Sequence, residues 1–205
     1  MKKLGILGAT FNPVHKVHIE MANKSVELLQ LDKCLLVPTN ISYHKNSINL
    51  EPKVRLEMLE LAIKNNKKLE ISTVDIERGG NTYTIDTLTD LKKIYTNYEF
   101  YFIMGSDTFN NIMQFKQIEN ILNFTKFVVF TRKNEKIYFD KSNIEKNKII
   151  DDIYNKTIFI DIDLKDISST FIRHNCYKLC CEELYLDENV YNFIIERKLY
   201  AEYNF

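Results

Sequence analysis

The sequence predicts an α/β fold in which a doubly wound parallel sheet of about six strands precedes a C-terminal helical segment. Six short segments have strand length and apolar, β-branched or aromatic content: residues 4–7, 34–37, 69–72, 100–104, 127–130 and 157–160. Helical patterns separate the first four of them. Because strand–helix–strand units join parallel strands through right-handed crossovers, this alternation favours a parallel sheet with helices on both faces.

Each of the first three intervals repeats apolar residues at three- and four-residue spacing, as an amphipathic helix does. The repeating residues are Met21, Ala22, Ser25, Val26 and Leu29, then Val54, Met58, Leu61 and Ala62, then Ile85, Leu88, Leu91 and Tyr95. Residues 133–155 are rich in Lys, Asn and Asp without a clear period, so we expect a surface excursion before the sixth strand. From residue 168 we expect two helical pieces, with a packing face formed by Val190, Phe193, Ile194 and Leu199.

Length and composition favour a single globular domain over residues 1–205. The chain is 45% hydrophobic and 27% charged, a balance typical of globular rather than disordered or fibrous proteins. Lys plus Arg and Asp plus Glu number 28 each, so the formal net charge is zero. Without a net positive field we expect neither general nucleic-acid binding nor attraction to an anionic membrane. A phosphorylated ligand would therefore need a local pocket.

Cysteine content and the lengths of apolar segments predict a cytoplasmic protein. The four cysteines, Cys34, Cys176, Cys180 and Cys181, are too few for a disulfide framework in 205 residues. Cys176 and Cys180 lie four residues apart on a predicted helix and so share a face, whereas Cys34 belongs to a strand. We therefore expect buried, reduced thiols and no metal site. The apolar start of the chain ends at Thr10 without a cleavage-type continuation, and no segment reaches the roughly 18 apolar residues of a membrane span.

Residues 8–18 combine a strand end with small residues, a proline and two histidines at a predicted helix start. Gly8 and Ala9 would let a phosphate approach the backbone amides, and a helix N-terminus adds unpaired N–H groups and a favourable dipole. His15 and His18 are one turn apart and could both donate to phosphate oxygens. A tight turn with two partly buried histidines explains the same residues equally well. A zinc pair ranks last because no further ligands accompany the histidines.

A second turn with anion-binding character follows the sixth predicted strand, in residues 166–173. Ser168 or Ser169 is a natural N-cap for the next helix, which is a purely structural interpretation. The hydroxyl groups of Ser168, Ser169 and Thr170, with the guanidinium of Arg173 on the next turn, would also form an anion site. Only five arginines occur in the chain, so an arginine at this place is more informative than another lysine.

Together, residues 8–18 and 167–173 resemble the two signatures of the nucleotidylyltransferase superfamily, G-G-x-F-D-P-x-H-x-G-H and I-S-S-T-x-x-R. Further stretches are similar to one branch, the bacterial nicotinate (nicotinamide) mononucleotide adenylyltransferases. These stretches are residues 38–45, 55–59, 75–78, 82–88 and 102–107, with Arg132, whose role the resemblance leaves open. The resemblance implies a Rossmann-like fold and a reaction that transfers AMP from ATP to nicotinate mononucleotide, giving deamido-NAD and pyrophosphate. ATP and nicotinate mononucleotide are the implied partners, and homo-oligomer formation is left open.

In this family the acceptor is already a phosphate anion, so the reaction needs alignment of two polyanions and charge neutralisation rather than a general base. The catalytic residues implied by the resemblance are His15, His18, Lys45 and Arg173. Those implied to bind ATP are Gly8, Ala9, Thr10, Phe11, His15, His18, Gly105, Asp107, Ser168, Ser169, Thr170 and Arg173. Those implied to bind nicotinate mononucleotide are Thr39, His44, Lys45, Thr82, Tyr83, Thr84 and Phe115. Mg²⁺ bound with the ATP phosphates would share the charge neutralisation.

Several positions depart from the family pattern. Ala9 and Asn12 replace Gly and Asp, and Val17 stands where the family has Gly between the histidines, so its branched side chain could crowd the phosphates. Thr39 replaces Asn, and Phe115 replaces a Trp that stacks on the pyridine ring. These departures leave three alternatives open: nicotinamide mononucleotide as acceptor, another phosphate acceptor such as phosphopantetheine, and a nucleotide-binding regulatory protein with an impaired site.

Overall fold

The computed structural model describes residues 1–41, 50–131 and 144–204 of the chain. Its six strands are β1 (Lys2–Ala9), β2 (Lys33–Pro38), β3 (Leu69–Ile71), β4 (Tyr98–Gly105), β5 (Thr125–Thr131) and β6 (Thr157–Asp161). Its helices are α1 (Lys16–Leu29), α2 (Pro52–Ile63), α3 (Val74–Arg78), α4 (Thr84–Ile94), α5 (Ser106–Phe109), α6 (Ile118–Phe124), α7 (Ile144–Asn155), α8 (Ser169–Asn175) and α9 (Glu188–Glu196). Short 3-10 helices cover Ile112–Gln114 and Ala201–Asn204. Every predicted strand is confirmed, with its ends moved by at most two residues.

The strands form one parallel sheet in the order β3-β2-β1-β4-β5-β6. From β1 the chain continues outward to β2 and β3, and it later returns to β4 on the other side of β1. At such a change of direction the loops at the carboxyl ends of the two strands diverge and leave a crevice. Here that crevice lies between the ends of β1 and β4, at Ala9 and Gly105.

Side chains alternate between the two faces of the sheet, and each face buries its own apolar core. Leu7, Leu36 and Ile103 belong to a core that includes residues of α1, α2, α8 and α9. The residues that precede Leu7 and Leu36 in their strands are Ile6 and Leu35. They belong to a second core that includes residues of α4 and α6. Helices therefore cover both faces, and the predicted doubly wound sheet is confirmed.

The chain before β6 differs from the expected surface excursion, because residues 144–155 form the regular helix α7. Ile150 and Ile153 are 1% and 0% exposed, so this helix packs on the sheet. The apolar residues of this segment recur at helical spacing, but the many Lys, Asn and Asp residues between them make the pattern hard to recognise in the sequence. Residues 132–143 lie outside the described residues.

The C-terminal segment forms two helical pieces, α8 and α9, as expected. Val190 and Ile194 are buried, and Phe193 and Leu199 pack partly buried against the same core. Across the described ranges, the structure holds no helix with the length and apolar character needed to cross a membrane.

The expected shared face of Cys176 and Cys180 is wrong, because α8 ends at Asn175 and the chain then turns. Cys176 is buried whereas Cys180 is exposed. Cys34 is buried in β2 and Cys181 is half-buried, so only two of the four thiols are fully buried.

Candidate active site

Two loops far apart in sequence are held together at the carboxyl end of the sheet. The first links β1 to α1, and the second leads into α8. Oγ of Ser169 donates to the backbone carbonyl of Pro13 at 2.9 Å. The guanidinium of Arg173 donates to the carbonyl of Asn12 at 2.7 Å and to Oγ1 of Thr170 at 3.0 Å. These contacts span 156 and 161 positions of sequence, so the structure brings the early and late turns together.

The side chain of Arg173 is buried between these loops and stabilises their conformation. Its side chain is 7% exposed, and its Cζ lies 5.6 Å from the centroid of the Tyr203 ring. A planar guanidinium that bonds a backbone carbonyl fixes the shape of a loop. Arg173 is not among the described residues that line the cavity beside the histidines, so direct contact between Arg173 and ATP stays a prediction.

His15 and His18 stack on each other at the start of α1. Their ring centroids lie 3.7 Å apart with planes tilted by 34°. His15 occupies the N-cap, and its backbone N–H donates to Nδ1 of His18 at 3.2 Å. Because Nδ1 of His18 accepts this hydrogen bond, the neutral form of His18 carries its proton on Nε2. The first turn thus holds His18 as an Nε2–H donor, and the ring of Phe11 packs edge-on against it at 5.0 Å.

The environment of His15 keeps its ring neutral. Burial, and after it the proximity of His18, place the pKa of His15 well below its usual value of 6.5. Its Nδ1 is buried and has no hydrogen-bond partner among the described residues. An unpaired buried polar atom costs about 1–3 kcal/mol.

A cavity of about 320 Å³, here called the histidine cavity, opens between the ends of β1 and β4 and the starts of α1 and α8. It presents imidazoles, hydroxyl groups and backbone amides, the donor types that bind phosphate. Asp107 is the acidic side chain among its described lining residues. The residues predicted to bind ATP that line it are Gly8, Ala9, His15, His18, Gly105, Asp107, Ser168, Ser169 and Thr170.

A second cavity of about 260 Å³, here called the threonine cavity, adjoins the first. Its lining includes Thr39, Thr82, Tyr83, Thr84 and Phe115, all of which were predicted to bind the acceptor nucleotide. The residues that line both cavities are Gly8, Ala9, Thr84, Phe102, Thr108 and Phe115. A ligand in one cavity would therefore meet a ligand in the other beside the end of β1.

The wall of the threonine cavity is shaped by the turn before α4. Gly79 and Gly80 have φ angles of 74° and 66°, a region that favours glycine. The backbone N–H of Asn40 donates to Oγ1 of Thr82 at 2.9 Å, and Nδ2 of Asn40 donates to the carbonyl of Gly80 at 3.0 Å. These bonds tie the turn to the end of β2 and place Thr84 at the first position of α4.

Arg55 supports the wall of the threonine cavity from behind, a role that the sequence motif did not reveal. It is 1% exposed, and burial lowers the pKa of its guanidinium. Nη1 donates to the carbonyl of Thr10 at 2.8 Å, Nη2 to that of Asn40 at 3.3 Å, and Nε to that of Leu50 at 3.2 Å. One side chain thus joins the loops after β1 and β2. The sequence signal that could have indicated this role is the scarcity of arginine in the chain.

Three residues near the histidines in sequence, Thr10, Phe11 and Val17, are not placed as a simple phosphate-binding loop would place them. Thr10, predicted to bind ATP, lines the threonine cavity instead of the histidine cavity. Phe11 lines neither cavity; it is 1% exposed, with a φ of 51°. Val17 is 8% exposed and packs in the apolar core, while its remaining surface lines the histidine cavity. Most of its side chain therefore faces the protein interior rather than the space for a ligand.

Gly105 and Asp107 adjoin each other at the end of β4. A Cβ at position 105 would lie 2.7 Å from Oδ1 of Asp107, so any other residue here would force the Asp107 carboxylate to shift. Sequence reasoning missed five residues that also line the threonine cavity: Asp75, Thr87, Phe102, Thr108 and Lys116.

Two predicted site residues, His44 and Lys45, lie outside the described residues, as does Arg132. Within the ranges that the structure describes, no group of three or more His, Cys, Asp or Glu residues is placed to hold a metal ion.

Comparison with known proteins places these observations in a family. The model of the cytidylyltransferase-like family matches residues 6–175. A relative from Clostridium acetobutylicum, named probable nicotinate-nucleotide adenylyltransferase, is 35% identical over 204 residues and covers 98% of this chain and 100% of its own. A relative of the same name from Lactococcus lactis is 36% identical over 202 residues, covering 98% of this chain and 96% of its own.

A solved structure shares the fold. Nicotinic acid mononucleotide adenylyltransferase from Plasmodium falciparum, complexed with NaAD, aligns with a TM-score of 0.77 over 100% of this chain and 99% of that chain. Its sequence is 23% identical, so this likeness supports the Rossmann-like architecture alone.

Proposed function

This chain belongs to the cytidylyltransferase-like family and, within it, to the nicotinate-nucleotide adenylyltransferases, and we propose that it transfers AMP from ATP to nicotinate mononucleotide. The products are deamido-NAD and pyrophosphate, which makes the reaction a step of NAD biosynthesis. The observation that carries this proposal is the shared wall of the two cavities, formed by Gly8, Ala9, Thr84, Phe102, Thr108 and Phe115. Two phosphorylated ligands can meet there with their reacting phosphates side by side.

The reaction is an exchange of one phosphoanhydride bond for another. An oxygen of the acceptor's 5′-phosphate attacks the α-phosphorus of ATP. The bond from that phosphorus to the oxygen bridging to the β-phosphate breaks, and pyrophosphate leaves with that oxygen. Because the attacking oxygen is already anionic, no residue has to remove a proton, and the protein contributes alignment and charge stabilisation.

The histidine cavity supplies the donors for the triphosphate. His18 donates from Nε2, since its Nδ1 is occupied by the amide of His15. His15 is neutral at pH 7 and donates from one ring nitrogen rather than as a cation. Ser168 caps α8 by accepting from the amide of Phe171 at 3.1 Å, and Ser168 and Thr170 present exposed side chains at the cavity edge.

Mg²⁺ would accompany the phosphates. Hard cations of this kind keep water ligands and bind through one or two carboxylates together with substrate phosphates. Asp107 is exposed at the histidine cavity and fits that need, whereas the described residues form no cage of acidic ligands. When bound, the ion supplies charge neutralisation on the phosphate oxygens.

The proposed setting of the reaction is the cytoplasm, with ATP and nicotinate mononucleotide as partners and neither nucleic acid nor membrane involved. The net charge of zero supports the exclusion of nucleic acid and membrane as partners.

A pyrophosphate-release assay with ATP and Mg²⁺ tests the proposal. We expect turnover when nicotinate mononucleotide is added, and much slower turnover with nicotinamide mononucleotide. Saturable ATP binding without pyrophosphate release from any acceptor would instead support a regulatory nucleotide-binding protein. Turnover with phosphopantetheine alone would reassign the acceptor.

A further inference from the structure

Among the described residues, two charged side chains line the threonine cavity, Asp75 and Lys116. Asp75 is 2% exposed, and its Oδ1 accepts from Nη2 of Arg78 and from Oγ1 of Thr87, each at 2.7 Å. Arg78 also bonds Oδ2 of Asp90 at 2.9 Å. The negative charge of Asp75 is therefore compensated within the wall of the cavity, and it does not neutralise Lys116.

Lys116 is an exposed residue held at the edge of this cavity by an aromatic ring. It follows the 3-10 helix Ile112–Gln114, directly after Phe115. Its Nζ lies 4.4 Å from the centroid of the Tyr83 ring, well inside the range of a cation–π contact. Phe115 and Tyr83 both line the cavity, so the ammonium group of Lys116 lies over one of the two aromatic rings that a pyridine ring in this cavity could contact.

The start of α4 adds a second source of positive potential at the same place. Tyr83 is the N-cap of this 11-residue helix, and Thr84 and Ile85 are its first two residues. Their backbone N–H groups have no acceptor within the helix, and the helix dipole is positive at this end. The amide groups can bind an oxygen of either a carboxylate or a carboxamide. The positive end of the helix favours the acid form of a ligand over the amide form.

We propose that Lys116 is a specificity-determining residue that favours a carboxylate over a carboxamide on the pyridine ring of the acceptor. This inference rests on the proposed function and deepens it. The two acceptors have nearly the same shape and differ by one unit of charge at the ring substituent. A lysine donates three hydrogen bonds and accepts none, so it attracts the carboxylate and gains no comparable contact from the amide nitrogen. The charge of Lys116 therefore adds to the preference for a carboxylate that the start of α4 already provides.

The test compares kcat/KM for nicotinate mononucleotide and nicotinamide mononucleotide in four proteins, using pyrophosphate release. These are the wild type, Lys116→Met, Lys116→Arg and the control Lys2→Met. Lys2 also lies over a tyrosine ring, with Nζ 5.8 Å from the centroid of Tyr98, but at the opposite end of the sheet. Lys116 is exposed, so its replacement leaves the folded core intact, which thermal unfolding verifies.

We expect Lys116→Met to lower the acid-to-amide ratio of kcat/KM by about fivefold, the size of a partly solvated charge contact. Lys116→Arg keeps most of the ratio, and Lys2→Met leaves it unchanged. An unchanged ratio in Lys116→Met, or an equal loss for both acceptors, overturns the inference while the proposed function stands. A wild type that prefers the amide overturns the inference as well. Absence of turnover with either acceptor removes the proposed function itself.

Discussion

The hydroxyl of Tyr200 donates to Oδ1 of Asn12 at 2.7 Å, across 188 positions of sequence. Both residues are buried, at 3% and 2% exposure, and burial raises the pKa of the Tyr200 phenol, which stays protonated. The backbone carbonyl of Asn12 accepts in turn from Arg173. The last residues of the chain thus hold the loop that leads to His15 and His18.

Removing this hydroxyl should loosen the loop. We expect Tyr200→Phe to lower the free energy of unfolding by about 1 kcal/mol, the usual contribution of a buried hydrogen bond. The KM for ATP should rise as well, because the loop borders the histidine cavity. Denaturant titration and initial rates measure the two effects. Tyr177→Phe is the matched control, since Tyr177 is 39% exposed and bonds the carbonyl of Leu199. Equal losses of stability in both variants would argue against a special role for the contact between Tyr200 and Asn12.

His18 should matter to turnover more than to ATP binding. Its Nε2–H donor is most valuable as negative charge builds on the departing phosphates. We expect His18→Ala to lower kcat about 100-fold, the usual cost of losing one such donor, while the Kd for ATP changes less than about threefold. Rapid-quench rates and equilibrium ATP binding separate the two quantities. His174, exposed on α8, provides the control, and His174→Ala should keep its turnover. A parallel loss of affinity and rate in His18→Ala would remove this role.

Phe115 should act on the acceptor. It lines the threonine cavity and offers a ring surface for stacking. We expect Phe115→Ala to raise the KM for nicotinate mononucleotide about tenfold, as loss of an aromatic stack and its buried area would. Initial rates at saturating ATP give this value. Phe159→Ala, on the far strand β6 and 39% exposed, should leave this KM unchanged. A wild-type KM in Phe115→Ala would exclude Phe115 from the acceptor site.

The low pKa of His15 links stability to pH. Its folded pKa lies below the unfolded value of 6.5, so above that value neither state is protonated and His15 adds no pH dependence. Below pH 6.5 the unfolded chain binds a proton at His15 that the folded protein does not bind, so the free energy of unfolding falls. We expect His15→Gln to flatten the decline in the free energy of unfolding between about pH 7 and pH 5. An unaltered slope in His15→Gln would show that His15 titrates normally.

Local sequence determined much of this protein. Short apolar runs and apolar residues at helical spacing fixed the parallel sheet and its main helices, because burial of one face dictates a period that can be read along the chain. The two turns with anion-binding character could also be recognised from local sequence. His15 and His18 are one turn apart, and Ser168 to Thr170 are consecutive, so their spacing alone relates them.

Tertiary structure alone decided which groups face a ligand and which brace the loops. Arg173 carries the family motif, yet its guanidinium bonds Asn12 and Thr170 inside the loops. Arg55 joins two loops from behind, and Lys116 meets Tyr83 across 33 positions of sequence. The neutrality of His15 likewise depends on burial beneath the surrounding elements. Such facts arise from contacts between distant segments, which no local period or motif records, and they become visible only when the sheet brings those segments to one edge.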